Sequence, residues 1–308
     1  MVNTTTKLIY KAFGLHIDSD IFLPELIQVP EFQQKIDVLI KKKDLTNLWI
    51  QSKKTHGDYV VKKDRVLFDI PNLAIFMIQG GNEIFFTPFV NSNEGEIRLF
   101  ILGTCMGAIL QQRRILPLHG SAIEIEGKAY AFIGDSGAGK STLASAFLKS
   151  GFRLLTDDVI AISFSENDLL HVVPSYPQQK LWEESLNGFG IKEHNYLPLF
   201  SRETKYAVPV HSHFSSKEIP LAGIFELVIN KEEEITVQPI NRLEGLHKLF
   251  YHTYRNFMIE PFGLLQWHLN RSAQLINKIK FFQLSRPTTR FTPDELKTFV
   301  LNSLAKGF

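Results

Sequence analysis

A glycine-rich stretch that ends in Lys and Ser stands between a strand-forming run and a helix-forming run. It reads Gly134-Asp135-Ser136-Gly137-Ala138-Gly139-Lys140-Ser141, followed by Thr142. Glycines at this spacing allow several backbone N–H groups to point at one anion, and the start of a helix adds partial positive charge. The pattern therefore predicts a nucleotide phosphate site. Lys140 would reach the β- and γ-phosphates of ATP, and the Ser141 hydroxyl would bind Mg²⁺.

Two consecutive carboxylates, Asp157 and Asp158, follow the next strand-forming run, 152–155. Because one helix separates this run from the loop, we expect its strand to be the parallel neighbour of the loop strand, joined by a right-handed crossover. Both acids would then lie at the carboxyl end of the sheet, where open α/β sheets bind ligands. Adjacent strand residues face opposite ways, which predicts two roles. One acid would hold Mg²⁺ or its water, and the other would accept a proton from an attacking hydroxyl. The alternative is a surface turn with two solvated carboxylates.

A predicted hairpin places His119 near the loop. Two alternating runs flank a turn centred on Gly127. Pairing them about Gly127 sets Ser121 opposite Ile133 and brings His119 level with Asp135. An imidazole at that position would hydrogen-bond the γ-phosphate or one of the Asp residues. The alternative is a His that serves only the fold.

The elements that position these residues fall into three regions. Short runs closed by turns over residues 1–95 indicate a small antiparallel β domain. Apolar residues at helical spacing predict a helix over 96–114, at the start of a phosphate-loop core over 96–240. Residues 241–308 are predicted to be mainly helical and packed on the core, with helices over 241–254, 263–282 and 292–305. The predicted fold class is therefore α/β.

Composition limits the partners and the compartment. The chain has 34 Lys and Arg against 32 Asp and Glu, so no global field favours nucleic acid or a membrane surface. Residues 241–308 carry ten basic and four acidic side chains, which suits an acidic ligand but also solvated helix faces. Cys105 is the only cysteine, which excludes an internal disulfide. With no signal-peptide pattern and no apolar run long enough to span a bilayer, we expect a cytoplasmic protein.

Three motifs together resemble the catalytic core of the HPr serine kinase/phosphorylase family. They are Leu118-His119-Gly120-Ser121, the loop 134–141, and Arg153-Leu154 with Asp157-Asp158. The resemblance implies that His119 and Lys140 are catalytic and that Asp158 accepts the proton. It also implies that Ser141 binds Mg²⁺, which leaves Asp157 as a further Mg²⁺ ligand.

A further Mg²⁺-binding Glu in that family lies in a Leu-Glu-x-x-Gly-x-Gly-like stretch. The nearest match here is 181–190, which makes Glu183 the candidate and Glu184 the alternative. The chain departs from the family pattern, because no Arg precedes the Gly and Thr142 replaces the acidic residue that usually follows the loop Ser. Since that stretch serves phosphorolysis in the bifunctional enzymes, we expect this chain to lack the reverse reaction.

Outside the core, the chain is similar to the HPr-kinase-like enzymes of lasso-peptide gene clusters, which phosphorylate the C-terminal Ser of a ribosomal precursor peptide. The supporting segments are 10–15 with 23–26, 174–177 with 180–182, and 252–255. A terminal Ser carries a carboxylate beside its hydroxyl, and Arg suits a carboxylate through two parallel hydrogen bonds. Arg255, in the basic C-terminal region, is therefore predicted to hold the acceptor end of the peptide.

The leading hypothesis is an ATP- and Mg²⁺-dependent serine kinase that acts on a peptide or protein. One alternative is an HPr-type protein serine kinase or a small-molecule kinase. Another is a nucleotide-dependent regulatory protein without phosphoryl transfer, which the Asp pair disfavours because sensing a nucleotide needs no base. The sequence also leaves room for a homo-oligomer.

Overall fold

The computed structural model describes residues 8–30, 35–52, 59–165, 167, 169–192, 196–199, 202–230 and 232–307. These residues divide into two compact units. The first runs to Arg114 and includes Phe257–Leu264, and the second comprises Ile115–Asn256 and Leu265–Phe308. The units differ from the predicted regions in two respects. The helical segment after residue 95 belongs with the N-terminal strands, and most of the C-terminal region belongs with the phosphate-loop core.

The first unit is built on one sheet. Its strands are β1 (Ile9–Ala12), β2 (Leu15–Ser19), β3 (Ile27–Gln28), β4 (Val38–Lys42), β5 (Tyr59–Lys62), β6 (Arg65–Ile70), β7 (Ala74–Gln79) and β8 (Glu83–Pro88). In the described part of the chain they form an eight-stranded sheet in the order β3-β1-β2-β4-β8-β7-β6-β5. The prediction of a purely antiparallel domain is wrong, because β4 pairs parallel with both β2 and β8. The long connections on either side of β4 supply the crossovers that parallel pairs require.

The helices of the first unit are α1 (Thr46–Ser52), α2 (Glu94–Phe100) and α3 (Met106–Gln112), and a π-helical turn over Ile101–Cys105 joins the last two. The helix predicted over 96–114 is thus confirmed, with a start two residues earlier. It begins there because the Asn93 side chain accepts hydrogen bonds from the backbone N–H groups of Gly95 and Glu96. No helix among the described residues is long and apolar enough to cross a membrane.

The second unit holds the phosphate loop. Its strands are β9 (Leu116–Ile125), β10 (Lys128–Gly134), β11 (Arg153–Thr156), β12 (Val159–Phe164), β13 (Leu170–Val173), β14 (Gln178–Trp182), β15 (Leu197–Leu199), β16 (Arg202–Pro209), β17 (Ile219–Ile229), β18 (Thr236–Pro239) and β19 (Lys280–Arg286). Its helices are α4 (Lys140–Lys149), α5 (Glu183–Gly188), α6 (Arg242–Tyr251), α7 (Leu265–Lys278) and α8 (Pro293–Ala305). The mixture of strands and helices confirms the α/β class.

Most of these strands belong to one sheet. Its order is β10-β9-β12-β13-β17-β19-β18, with β11 on β9 and a further pairing of β10 with β17. The pairing of β10 with β17 closes a ring of five strands, β9, β10, β17, β13 and β12. Within the described residues, β14, β16 and β15 form a separate three-stranded sheet.

The strand β9 pairs with different strands along its length. Its first half, Leu116–His119, pairs with β12, whereas Gly120–Ile125 pairs with β10. The predicted hairpin exists, but its turn is shorter by one residue because Glu126 and Gly127 both take positive φ, as a two-residue hairpin turn requires. Ile133 therefore lies opposite Gly120 rather than Ser121. His119 is shifted by one residue, to the level of Gly134 instead of Asp135.

The predicted position of β11 is wrong. β11 pairs antiparallel with β9, and the neighbours of β10 are β9 and β17. β9 therefore lies between β10 and β11, so the helix α4 crosses over one intervening strand. The two strands still run in the same direction, and the Asp pair still follows the carboxyl end of β11.

An aromatic stack supports the loop strand from behind. Phe132, Phe225 and Phe282 are cross-strand neighbours on β10, β17 and β19. Their rings stack at centroid distances of 5.7 and 5.3 Å, and Phe147 of α4 stacks on Phe132 at 5.5 Å. All four are buried. Stacked rings of this size fix the strand and the following helix against each other.

The C-terminal region is less helical than predicted. Helices are confirmed at α6, α7 and α8, and α8 begins at Pro293 as its sequence indicates. The predicted helix 263–282, however, ends at Lys278 because Lys280–Arg286 forms β19, which pairs parallel with β17. The run Lys280-Phe281-Phe282 is taken into the sheet, where Phe282 completes the aromatic stack.

Candidate active site

The phosphate loop adopts the backbone that its glycines permit. Gly134, Gly137 and Gly139 have φ values of 147°, 87° and 103°, a region that other L-residues avoid. Gly134 also has no room for a side chain, since an added Cβ would lie 2.5 Å from the carbonyl oxygen of Leu227. The helix α4 starts directly after the loop, at Lys140. Its first backbone N–H groups therefore face the loop without partners in the helix.

Lys140 folds back onto the loop. Its Nζ donates hydrogen bonds to the carbonyl oxygens of Gly134 and Asp135, at 2.8 and 2.9 Å. The residue is only 7% exposed. Burial lowers the pKa of Lys140 to about 8, although the negative charges of Asp157 and Asp158 favour the protonated form. Neutral carbonyls do not balance a buried ammonium, so the site attracts an anion.

Arg286, at the end of β19, braces the outside of the loop. Its Nε donates to the carbonyl oxygen of Ala138 at 2.7 Å, and its Nη2 donates to that of Gly137 at 3.2 Å. Burial lowers the pKa of this guanidinium from its ordinary value. Because Arg286 occupies two loop carbonyls, the loop N–H groups are free to face the opposite side.

Asp157 is buried beneath the start of α4. Its Oδ1 accepts hydrogen bonds from the hydroxyls of Ser121 and Ser141, and its Oδ2 accepts one from the backbone N–H of Lys180. The distance from Ser141 Oγ to Asp157 Oδ1 is 2.9 Å. Since both oxygens have donors, the carboxylate is fixed in one orientation.

Asp158 lies in the bend between β11 and β12, and its side chain has different partners from that of Asp157. Its φ is +76°, a strained value for Asp. Its Oδ2 forms an ion pair with Lys180 Nζ at 2.6 Å, and its Oδ1 lies 3.6 Å from His119 Nδ1. Burial raises the pKa of Asp158, but the charge of Lys180, followed by those of His119 and Lys205, outweighs it and holds this pKa well below the usual range. The pKa of Lys180 is raised in turn, because Asp158 outweighs its burial.

His119 lies between Asp158 and a tyrosine. Its Nδ1 donates to the backbone oxygen of Asp158 at 3.0 Å, and its ring packs on Tyr254 at 5.8 Å. Burial lowers the pKa of His119, despite the opposing charge of Asp158. Nε2 is therefore left as an acceptor on a neutral ring. Gly120 must be glycine, since a Cβ would lie 2.2 Å from the carbonyl oxygen of Phe132.

The loop and the Asp158 cluster share one cavity of about 840 Å³ within the second unit. Of the predicted site residues, those that line it are His119, Ser136, Gly137, Gly139, Lys140, Ser141, Thr142, Asp158, Glu183 and Glu184. Asp157 is too buried to line it, at 3% exposure. The opposite wall is formed by residues of β14, α5 and β16, with Lys180, Trp182 and Lys205 among them. This is enough room for a nucleotide and part of an acceptor.

Two further predicted residues, Arg255 and Glu183, differ in whether they reach the cavity. Arg255 does not line the cavity. Its guanidinium carbon lies 5.7 Å from the ring centre of Tyr254, and the Tyr254 ring in turn packs on His119. Glu183 lies in the first turn of α5, which is tied to the loop helix by a hydrogen bond of 2.7 Å between Thr142 and Ser185. The same bond gives the Thr142 hydroxyl a structural partner on α5.

The donor set tests whether Mg²⁺ fits this site. Within the described residues, no group of three His, Cys, Asp or Glu side chains could hold a metal ion. A protein cage is not needed, because Mg²⁺ in nucleotide sites is held by one or two protein oxygens together with phosphates and water. Ser141 Oγ and the Asp157 carboxylate, 2.9 Å apart, are hard oxygen donors of this kind. The site therefore fits a magnesium nucleotide.

Three polar residues of the site were missed in the sequence. Lys180 and Lys205 come from the β14–β16 sheet. Arg286, the last residue of β19, lies 146 residues beyond Lys140. No local signal marks Lys180, because the run 178–182, Gln-Gln-Lys-Leu-Trp, carries two further polar residues and is typical of a half-exposed strand. Lys205 and Arg286 are brought to the site only by long-range strand pairing.

Comparison with known proteins gives partial matches. No family model matches the chain. It is 32% identical over 77 residues to an HPr kinase/phosphorylase of Lachnoclostridium phytofermentans, which covers 25% of this chain and 24% of that protein. It is 35% identical over 74 residues to the HPr kinase/phosphorylase of Clostridium botulinum, covering 24% and 23%. The Clostridium perfringens protein of the same name is 40% identical over 53 residues, covering 17% of each chain.

Over the matched stretch, the chain resembles HPr kinase/phosphorylases. It spans about a quarter or less of the length of the curated relatives it matches. Among solved structures, that of the HPr(Ser) kinase/phosphatase from Coxiella burnetii covers 62% of this chain and 91% of its own, with 14% identity and a TM-score of 0.33. The sequence relatives support the predicted kinship with HPr kinase/phosphorylase-like proteins.

Proposed function

We propose that the chain is an ATP- and Mg²⁺-dependent kinase that phosphorylates a Ser hydroxyl of a peptide or protein. One observation carries the proposal: Lys140 and Asp158 face the same cavity from two different elements, one suited to hold phosphate and the other to receive a proton. The names of the sequence relatives support the same reaction class.

The loop would bind and orient the nucleotide. Its backbone N–H groups and the Lys140 ammonium would hold the phosphates, while Ser141 and Asp157 would hold Mg²⁺ or its water, and the metal would supply positive charge against the phosphates. Lys140 exchanges the neutral carbonyls of Gly134 and Asp135 for charged phosphate oxygens. This exchange compensates the ammonium that burial leaves poorly balanced.

Asp158 would orient the acceptor hydroxyl and take its proton. Its carboxylate is ionised at neutral pH because Lys180 lowers its pKa, so it is an acceptor throughout the physiological range. A weakly basic carboxylate suffices, since in a loose transition state the hydroxyl loses its proton late. Lys205, whose charge reaches Asp158, adds positive potential on the acceptor side of the transferring phosphoryl group.

We further propose that the acceptor is the C-terminal Ser of a ribosomal precursor peptide of the lasso-peptide type. Support comes from the sequence similarity outside the loop, including 252–255, which contains Tyr254 and Arg255. In the structure this segment packs against the site, because the backbone N–H of His119 donates to the carbonyl oxygen of His252 at 2.8 Å. A peptide carboxylate near Arg255 would therefore lie close to the His119 side of the cavity.

The test is a transfer assay with matched acceptors. Purified protein is incubated with Mg²⁺-ATP and a precursor peptide ending in Ser, the same peptide ending in Ala, an HPr protein, or a pool of hydroxylated metabolites. We expect phosphopeptide, located by mass spectrometry at the terminal Ser, only with the first. Lys140→Ala serves as the inactive control. Phosphorylation of HPr or of a metabolite would select those acceptors instead, and no acceptor-dependent ADP release would indicate a nucleotide-dependent regulatory protein.

A further inference from the structure

Phe291 is a large apolar side chain on the wall of the nucleotide cavity. It is 47% exposed and lies beside Pro293 and Leu296, which also line the cavity. An isolated exposed Phe has no special meaning on a protein surface. Phe291 differs because its ring faces a concave site that already contains a phosphate loop.

The ring is held in place from behind. Gly188, the last residue of α5, lets the ring lie against its backbone, since an added Cβ would be 2.6 Å from two ring carbons. The ring of Phe189 meets it edge-on at 5.1 Å. These contacts fix the side of Phe291 that faces α5 and leave the rest open to the cavity. The result is a rigid aromatic surface that needs no reorganisation to bind a flat ligand.

The segment that carries Phe291 is anchored to the loop. At its start, Arg286 holds the carbonyl oxygens of Gly137 and Ala138. At its end, Thr292 is 3% exposed and Pro293 begins α8. The position of Phe291 relative to bound phosphates is thus set by short connections at both ends.

The direction of the nucleotide follows from the chemistry. In phosphoryl transfer the attacking and leaving oxygens lie roughly in line, so ADP extends away from the group that receives the acceptor proton. Asp158 contacts Lys180 and His119, whereas Phe291 contacts Gly188 and Phe189 at the far end of α5. The helix α5 starts directly after β14, the strand that carries Lys180, and its six residues give it a length of about 9 Å. Phe291 therefore lies on the leaving-group side.

Trp182 is the other aromatic side chain that lines the cavity among the described residues. It is two residues from Lys180 on β14 and opposite Lys205 on β16, so the three share one face of that sheet. Lys205 Nζ stands over its ring at 5.3 Å. Trp182 therefore lies with the Asp158 partners, on the acceptor side.

We propose that Phe291 is the platform on which the nucleobase of the bound nucleotide stacks. The inference rests on the proposed function only in taking the cavity as a nucleotide site. The ligand is a nucleoside di- or triphosphate, whose phosphates occupy the loop while the base covers the open part of the Phe291 ring. Asn187, which lines the same part of the cavity wall, offers hydrogen-bonding groups to the base or the sugar.

The experiment compares ligands with and without a base. Dissociation constants for Mg²⁺-ADP, Mg²⁺-ATP and tripolyphosphate are measured by calorimetry on the full chain and on Phe291→Ala, Phe291→Tyr and Trp182→Ala. Phe299→Ala is the matched control, because Phe299 is 43% exposed on α8 and does not line the cavity. Stacking on an aromatic side chain leads us to expect a loss of about 5- to 100-fold in nucleotide affinity for Phe291→Ala. Tripolyphosphate binding stays unchanged, and Phe291→Tyr and Phe299→Ala bind nucleotide like the wild type.

Each other outcome overturns the inference in a recognisable way. Equal losses for ADP and tripolyphosphate in Phe291→Ala mean that the residue supports the loop and does not stack on the base. Unchanged ADP binding in that variant, or a loss in Trp182→Ala alone, places the base elsewhere. If the wild type binds neither ligand, the nucleotide site itself is wrong. If the base-dependent loss appears in a chain that transfers no phosphoryl group, the inference stands and the proposed kinase activity fails.

Discussion

Lys140 and Lys180 face the same cavity and are buried to the same degree, at 7% and 6% exposure, yet their pKa values move in opposite directions. Burial lowers the pKa of Lys140 to about 8, because its hydrogen-bond partners are the neutral carbonyls of Gly134 and Asp135. The pKa of Lys180 is raised, because Asp158 lies 2.6 Å away and outweighs the same burial. One cation is balanced by the protein and the other is not.

This difference between the two lysines indicates that the two walls of the cavity have different roles. The loop wall is built from main chain and leaves the charge of Lys140 to be balanced by a ligand, which suits the binding of phosphate. The β14–β16 wall is built from side chains, and Lys180 already has its counter-charge in Asp158. That wall is suited to hold Asp158 ionised and in place rather than to bind an anion through Lys180.

Removing the loop cation gives the largest expected effect. Lys140→Ala should lower the rate of phosphoryl transfer by about 10³-fold or more, since it deletes the charge that faces the transferring phosphates. The melting temperature should not fall, because the variant removes a buried charge that the folded protein balances poorly. Turnover and thermal unfolding of the purified variant are the measurements. Near-wild-type turnover would show that the loop does not bind the reacting phosphates.

Removing the proton acceptor should affect transfer but spare binding. Asp158→Asn keeps the shape of the side chain but is not a base, so we expect the rate to fall by at least about 10²-fold with ATP affinity nearly unchanged. Asp157→Asn is the matched variant, and it should raise the Mg²⁺ concentration needed for half-maximal rate. Rates measured over a Mg²⁺ titration distinguish the two. The reverse pattern would exchange their roles, and two active variants would exclude a carboxylate base.

The two walls also differ in how far the sequence predicts them. The loop wall follows from a local pattern, in which a strand, glycines that take positive φ, and the start of a helix are contiguous in the chain. The sequence also predicts that Asp157 and Asp158 lie beside the loop, and they do, but the reason is partly wrong, because β9 rather than β11 is the neighbour of β10. The acids reach the site because β11 still runs parallel to β10, one strand further away.

The contacts of Lys180 on the opposite wall, and of Arg286 on the outside of the loop, are encoded by no local pattern. Lys180 reaches Asp158 because the backbone N–H of Lys180 binds Asp157, a contact between residues 23 positions apart. Arg286 reaches the loop because β19 is the third strand of a parallel set with β10 and β17, where the sequence alone favours the end of a helix. The one-residue shift of His119 has a local cause, the choice between a two- and a three-residue turn at Gly127, which alternating runs leave open.

Removing only one partner of the Asp158–Lys180 ion pair should lower the free energy of unfolding more than removing both. Lys180→Met leaves Asp158 buried without its main counter-charge, so we expect the free energy of unfolding to fall by about 3 kcal/mol. The double variant Asp158→Asn with Lys180→Met should recover much of that loss, because it leaves no uncompensated charge. Chemical denaturation of the single and double variants measures the coupling. Additive losses would show that the two side chains do not act as a pair.

His268 should make the second unit sensitive to mild acid. Its Nε2 lies 2.7 Å from Thr253 Oγ1, whose own proton goes to the carbonyl oxygen of Leu249 at 2.6 Å. Nε2 is therefore the protonated nitrogen of a neutral ring. Burial lowers the pKa of His268 to about 4, whereas an unfolded His titrates near 6.5. The unfolded chain then binds the proton first, so stability is lost as the pH falls from about 6.5 towards 4.

The expected loss is about 2 kcal/mol between pH 7 and pH 5. It is measured as the change in free energy of unfolding by chemical denaturation at both pH values. His268→Gln, which is neutral at both, should be less stable at pH 7 but should lose less on acidification. His247→Gln, on the exposed face of α6, is the control and should behave like the wild type. An unaltered pH dependence in His268→Gln would assign the acid sensitivity to another group.

Arg255 is expected to give the smallest effect, and it tests whether the acceptor approaches along the His119 side of the cavity. Its guanidinium carbon is 5.7 Å from the ring centre of Tyr254, whose ring packs on His119. If it holds the peptide carboxylate, Arg255→Ala should raise the peptide KM by about threefold to tenfold with the ATP KM unchanged. Amidation of the peptide C-terminus should raise the KM of the wild type similarly but add little in the variant, and Arg255→Lys should recover part of the loss. An alanine variant with unchanged peptide kinetics and a lower melting temperature would instead make Arg255 a support for Tyr254, and the acceptor carboxylate would then be sought at Lys205 on the β14–β16 wall.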